Sequence, residues 1–92
     1  MNIDEGIKAN LAKLLNLPRD VILKLPNFYL LGNLSLAVEN HRGLLKYSES
    51  EISLRVYQGK TIITGQKLEI ESLTKDLIVI NGQIKSIVFK LA

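Results

Sequence analysis

The chain has 92 residues, of which 47% are hydrophobic and 23% charged, a balance that suits one folded domain and is too apolar for a disordered chain. Its net charge of +3 and pI of about 9.3 point only weakly to an anionic partner, because acids and bases alternate, as at Lys67, Glu69, Glu71 and Lys75. There is no cysteine, which excludes disulfides, thiolate metal sites and cysteine nucleophiles and leaves the fold to rest on packing.

From Ile3 to Leu15 the apolar positions Ile3, Ile7, Leu11, Leu14 and Leu15 fall three and four apart, which predicts an amphipathic N-terminal helix. Asn2 or Asp4 is placed to cap its start, and Pro18 stops it near Leu17. The segment Pro18 to Pro26 reads as one helical turn leading into extended chain. Residues 1–26 thus form a helical N-terminal segment and residues 27–92 a β-rich body within a single domain.

From Phe28 onward, runs of β-forming residues are punctuated by Gly32-Asn33, Ser48-Glu49-Ser50, Gln58-Gly59, Gly65-Gln66 and Asn81-Gly82. Glu51 to Tyr57 is the clearest strand, with Ile52, Leu54 and Val56 on one face and Ser53, Arg55 and Tyr57 on the other. Lys67 to Glu71 repeats the pattern, with Leu68 and Ile70 opposed to charged neighbours. Asn81-Gly82 has the composition of a two-residue type I′ turn and is expected to join Leu77–Ile80 to Gln83–Phe89 as a hairpin. Leu77-Ile78-Val79-Ile80 is apolar on both faces, which predicts a central strand, and Phe89 is placed in the core. The expected fold is mainly β: a small antiparallel β-sandwich or barrel-like sheet built of consecutive hairpins, with an N-terminal amphipathic helix.

Catalytic readings fail on inventory. His41 is the only histidine, and no serine sits in a Gly-x-Ser-x-Gly elbow, so a non-enzymatic protein without a cofactor or metal is expected. Gly59-Lys60-Thr61 echoes the end of a phosphate-binding loop, but Leu54 stands where the upstream glycine belongs, and a hairpin turn is the better reading. Asn33-Leu34-Ser35 fits a glycosylation acceptor, yet no secretory signal accompanies it and a turn asparagine suffices.

The densest polar cluster is Glu39-Asn40-His41-Arg42, followed by Gly43. As a site it would present donors to an acidic surface, with Arg42 able to grip a carboxylate through two hydrogen bonds. The plainer reading is a turn whose side chains satisfy local backbone groups. His41 as a metal ligand would have only Glu39 nearby, too few ligands for a metal.

Asn16-Leu17-Pro18-Arg19-Asp20-Val21, Leu25-Pro26, Glu39-Asn40-His41-Arg42-Gly43-Leu44-Leu45 and Glu51-Ile52, in this order and spacing, resemble the YqfC-like branch of the YabP/YqfC family of bacterial sporulation proteins. The resemblance runs from Asn16 to Leu91. It implies a role in endospore formation in the mother-cell compartment, beside another sporulation protein, one that is membrane-bound in the usual case, and it supplies no catalytic residues.

Three modes of action follow. The first is a protein-interaction or scaffold module, docking through a sheet edge or through the N-terminal helix, unless that helix covers its own sheet, the plainer reading of an amphipathic stripe. The second is a small β-barrel that binds nucleic acid through Arg42, Lys46, Arg55, Lys60 and Lys67, a reading weakened by an aromatic content of 5%. The third is peripheral membrane contact through the N-terminal helix, with Lys8 and Lys13 on anionic lipid. No apolar run reaches the roughly 18 residues that span a bilayer, and Met1 is followed by acidic rather than basic residues, so an intracellular location is expected.

Overall fold

The structure, a computed structural model, describes Asn10 and residues 16–92; the expected helix from Ile3 to Leu15 therefore lies outside the described residues apart from Asn10. Pro18 caps a short helix, α1 (Arg19–Lys24). Pro18 lacks an N–H but its carbonyl accepts from Ile22 N–H at 3.2 Å. Asp20 in the first turn and Lys24 in the last complement the helix dipole. Leu25 precedes Pro26, which forces it out of helical geometry, and it is extended at ψ 144°. One helical turn followed by extended chain is what the two prolines predicted.

Six strands follow: β1 (Asn27–Leu31), β2 (Ser35–Glu39), β3 (Leu44–Tyr47), β4 (Glu51–Val56), β5 (Gly59–Leu73) and β6 (Leu77–Leu91). They form one sheet in the order β1-β2-β6-β5-β4-β3, and every pairing is antiparallel. The β4 alternation is as expected: Ile52, Leu54 and Val56 are buried and Arg55 is exposed, although Ser53 on the outer face is buried too. Leu68 is also buried between exposed Lys67 and Glu69. Residues 77–80 are central as predicted, with β2 on one side and β5 on the other.

The expected hairpin at Asn81-Gly82 is not there. Both residues lie inside β6, and β5 and β6 are joined instead around Thr74, Lys75 and Asp76, where Thr74 N–H donates to Leu77 C=O at 2.8 Å. Gly65-Gln66 likewise lies inside β5 rather than separating two strands. Both pairs mark a bend. The β5–β6 register shifts between Thr64 and Gly65 and again between Gln66 and Glu69, and Lys67 (φ 52°) and Gly82 (φ 140°) take positive φ. A Cβ on Gly65 would lie 2.1 Å from the carbonyl oxygen of Gln83, and one on Gly82 would lie 2.7 Å from that of Lys67. The glycines let two backbones cross closely where the long β5–β6 ribbon folds. Asn81 stitches the bend, accepting from Ser35 Oγ at 2.9 Å and donating through Nδ2 to Glu71 Oε2 at 3.1 Å.

Folding the ribbon makes the core. Leu36 and Val38 of β2 share one buried cluster with Ile52 and Leu54 of β4, together with Ile63, Leu68, Ile78, Ile80 and Ile84. In a flat sheet β2 and β4 would stand three strand spacings apart, about 14 Å, so this cluster exists only because the sheet doubles over. The expected sandwich or barrel is not closed: β1 and β3 end the sheet and do not pair with each other. Phe89 is not in the core either; it is 54% exposed on the outlying part of β6. Among the described residues no helix is long and apolar enough to cross a membrane.

Candidate functional site

The polar segment 39–43 is the passage from β2 to β3, which carries the chain across the folded sheet. Glu39 ends β2, opposite Asn27 and Leu77, and makes no ion pair among the described residues. Asn40 turns the chain at φ 63°, a conformation asparagine tolerates better than most residues. Its backbone N–H donates to Asp76 C=O at 2.7 Å. Its Nδ2 donates to the carbonyls of Leu23 and Leu25, each at 3.0 Å, and so ties the end of α1 to the sheet.

His41 is 7% exposed. Its Nδ1 accepts from Gly43 N–H at 3.0 Å, which requires that nitrogen to be unprotonated. Nε2 lies 2.9 Å from Thr74 C=O, an acceptor only, and therefore carries the proton. The ring is thereby assigned as the neutral Nε2–H tautomer and bridges the β2–β3 passage to the β5–β6 turn. With both nitrogens engaged by backbone, neither faces a reactant.

Arg42 is exposed. Its backbone N–H donates to Arg55 C=O at 2.7 Å, and Arg55 N–H donates to Gly43 C=O at 2.8 Å. Its guanidinium lies 5.3 Å from the centroid of the Tyr57 ring, and Lys24 Nζ lies 5.5 Å from the same centroid, both within cation–π range. Residues 40–43 line an open depression of about 560 Å³ with Lys75 and Asp76. The fold thus brings the polar segment to the β5–β6 turn, to Tyr57 and to the end of α1. The sequence signals none of these neighbours, because each is separated from it by long stretches of chain. Among the described residues no three His, Asp or Glu side chains gather to hold a metal ion.

Arg42 is thus the member of the segment whose side chain faces outward, while Asn40 and His41 hold backbone together. A family model described as the YabP family matches residues 24–91, which takes in every strand and the whole polar segment. The chain is also 40% identical over 78 residues to the protein called "Uncharacterized protein YqfC" from Bacillus subtilis (strain 168), an alignment covering 85% of this chain and 84% of that one. The chain belongs to the YabP family.

Proposed function

We infer that the chain is a non-enzymatic interaction module of endospore formation that binds another protein along the open side of its folded sheet. The observation that supports this reading is an unfinished mouth. β1 is a sheet edge, and residues 85–91 of β6 have a backbone neighbour on the β5 side only, since β2 pairs with β6 no further than Asn81 and the β1–β2 turn bonds it no further than Ile84. Across this mouth Leu30 of β1 is 54% exposed, and Phe89 of β6, also 54% exposed, meets Phe28 of β1. Leu30 also lines an open groove with Ile84 and Ile87. Apolar side chains beside unpaired strand edges suit an added strand, whose backbone would bond the edge while its side chains fill the groove.

The sporulation role and the mother-cell compartment rest on kinship with the YabP family, and the partner fitting that kinship is another sporulation protein, membrane-bound in the usual case. Nucleic-acid binding by a small β-barrel is the second reading. It is disfavoured by the arrangement of the aromatic rings: Tyr57 lies under two cations, Phe28 and Phe89 pack on each other, and exposed Tyr29 and Tyr47 stand on β1 and β3, the two end strands of the sheet, whereas single-stranded nucleic acid is held by aromatic platforms along one groove.

Photo-crosslinking amino acids placed singly at Leu30, Phe89, Lys67 and Glu71 in a sporulating host test the reading. One specific adduct at Leu30 and Phe89, absent from Lys67 and Glu71 and from vegetative cells, is the expected result. No adduct, or equal adducts at all four positions, defeats it.

A further inference from the structure

The outer face of β4, β5 and the later part of β6 carries a row of like charges. Lys60 stands opposite Arg55 on one side and opposite Lys90 on the other. Directly opposed residues of antiparallel strands share a face, and it is the outer one, because the alternate residues Leu54, Val56 and Thr61 are buried. Arg42 extends the row, since Arg42 and Gly43 together face Arg55 through the two backbone bonds described above. At about 4.8 Å per strand the four cations span roughly 14 Å. All four are exposed.

Among the described residues the ion pair is Lys46–Glu51, at 3.2 Å, and none of the four cations has a carboxylate within pairing distance. Like charges directly opposite each other destabilise a sheet. Lysines do guard exposed edges against aggregation, which accounts for Lys90. It does not account for Arg55 and Lys60, whose strands are paired on both sides. The row is therefore a feature that folding alone disfavours.

We propose that this row is a docking face for anionic phospholipid headgroups, with Arg42, Arg55, Lys60 and Lys90 set against the phosphates of a bilayer surface. Charge complementarity is the first argument. The second is an apolar neighbour: Val88, 41% exposed, lies one row in from Lys90 on the same face, opposite Ile62. Cations with an aliphatic side chain beside them match the boundary between headgroups and acyl chains, whereas a phosphodiester strand offers that aliphatic nothing. This face is distinct from the mouth between β1 and β6, so the two readings stand or fall separately.

Flotation of the purified full chain with vesicles of phosphatidylcholine plus phosphatidylglycerol, or of phosphatidylcholine alone, tests it. Binding only to the anionic vesicles is expected. Lys60→Gln/Lys90→Gln should lower it about 25-fold, at about fivefold per lysine, while Lys67→Gln/Lys75→Gln, with the same change in net charge, should lower it far less. Removing repulsion leaves the first variant folded; should it unfold, Arg55→Gln makes the same comparison. Equal losses in the two lysine variants, no preference for phosphatidylglycerol, or binding to oligonucleotides in place of vesicles overturns the proposal.

Discussion

The rings of Phe28 and Phe89 meet edge to face, with centroids 5.3 Å apart and planes at 81°. Phe28 pairs with Val38, and Val38 with Ile78, so Phe28 stands two strand spacings, about 10 Å, from Ile78. From Ile78 to Phe89 is eleven residues of β6, about 36 Å if the strand were straight. The two rings touch only because β6 folds back on itself. A double-mutant cycle with Phe28→Ala and Phe89→Ala in denaturant unfolding should therefore give a coupling of about 1 kcal/mol, the usual worth of an edge-to-face pair. A coupling near zero would mean that the bend holds without the contact.

The bend itself is tested at its glycines. Gly65→Ala places a methyl group against the backbone of Gln83 in the crossing ribbon, and should cost about 3 kcal/mol because backbone cannot yield as a side chain does. Gly32→Ala, at φ 54° with open space around it, should cost only about 1 kcal/mol. Thermal unfolding of the two variants separates steric closeness from backbone freedom.

These glycines also mark how far the sequence could be read. The alternation in Glu51–Val56 was legible because one face of β4 meets the core along its length. The mainly β, antiparallel character followed in the same way. Asn81-Gly82 has the composition of a hairpin turn, but the conformational freedom that turns a chain also bends a strand. Only the partner strand decides between them, and Gly82 faces Lys67 and Leu68. His41 was legible as part of a polar cluster, while its bond to Thr74, 33 positions away, is set by the fold and leaves no local trace. The row Arg42-Arg55-Lys60-Lys90 was legible only in part: Arg42, Arg55 and Lys60 stand out as bases on or beside strands, but Lys90 and the alignment of the four come from register alone.

Asn40 combines two roles that two substitutions separate. Asn40→Gly keeps the positive φ and loses the bonds to Leu23 and Leu25, and should cost about 1 kcal/mol. Asn40→Ala also loses conformational ease and should cost about 1 kcal/mol more. Equal destabilisation by urea in the two variants would mean that the turn conformation carries no strain for alanine.

His41 and Arg42 should part company in the same way. His41→Ala strips a partner from Gly43 N–H and from Thr74 C=O in a buried place and should cost about 2 kcal/mol. Arg42→Ala removes an exposed cation over Tyr57 and should cost less than about 1 kcal/mol. A His41 variant as stable as the parent would remove the ring from the framework and reopen it as an interaction residue.

The cation row makes a prediction that needs no ligand. Lys60 lies between Arg55 and Lys90, so Lys60→Gln removes two unfavourable pairings and should raise stability by about 0.5 kcal/mol at low ionic strength. Salt screens the same repulsion, with a Debye length of about 10 Å at 0.1 M falling to about 3 Å at 1 M. The parent should therefore gain stability with added sodium chloride more steeply than Lys60→Gln, and the two should converge at high salt. Lys67→Gln, whose exposed lysine sits at the bend, far along β5 from Lys60, should follow the parent instead. Parallel salt curves for the parent and Lys60→Gln would show that the aligned cations do not repel one another enough to matter, and with that the argument that folding alone disfavours the row would fail.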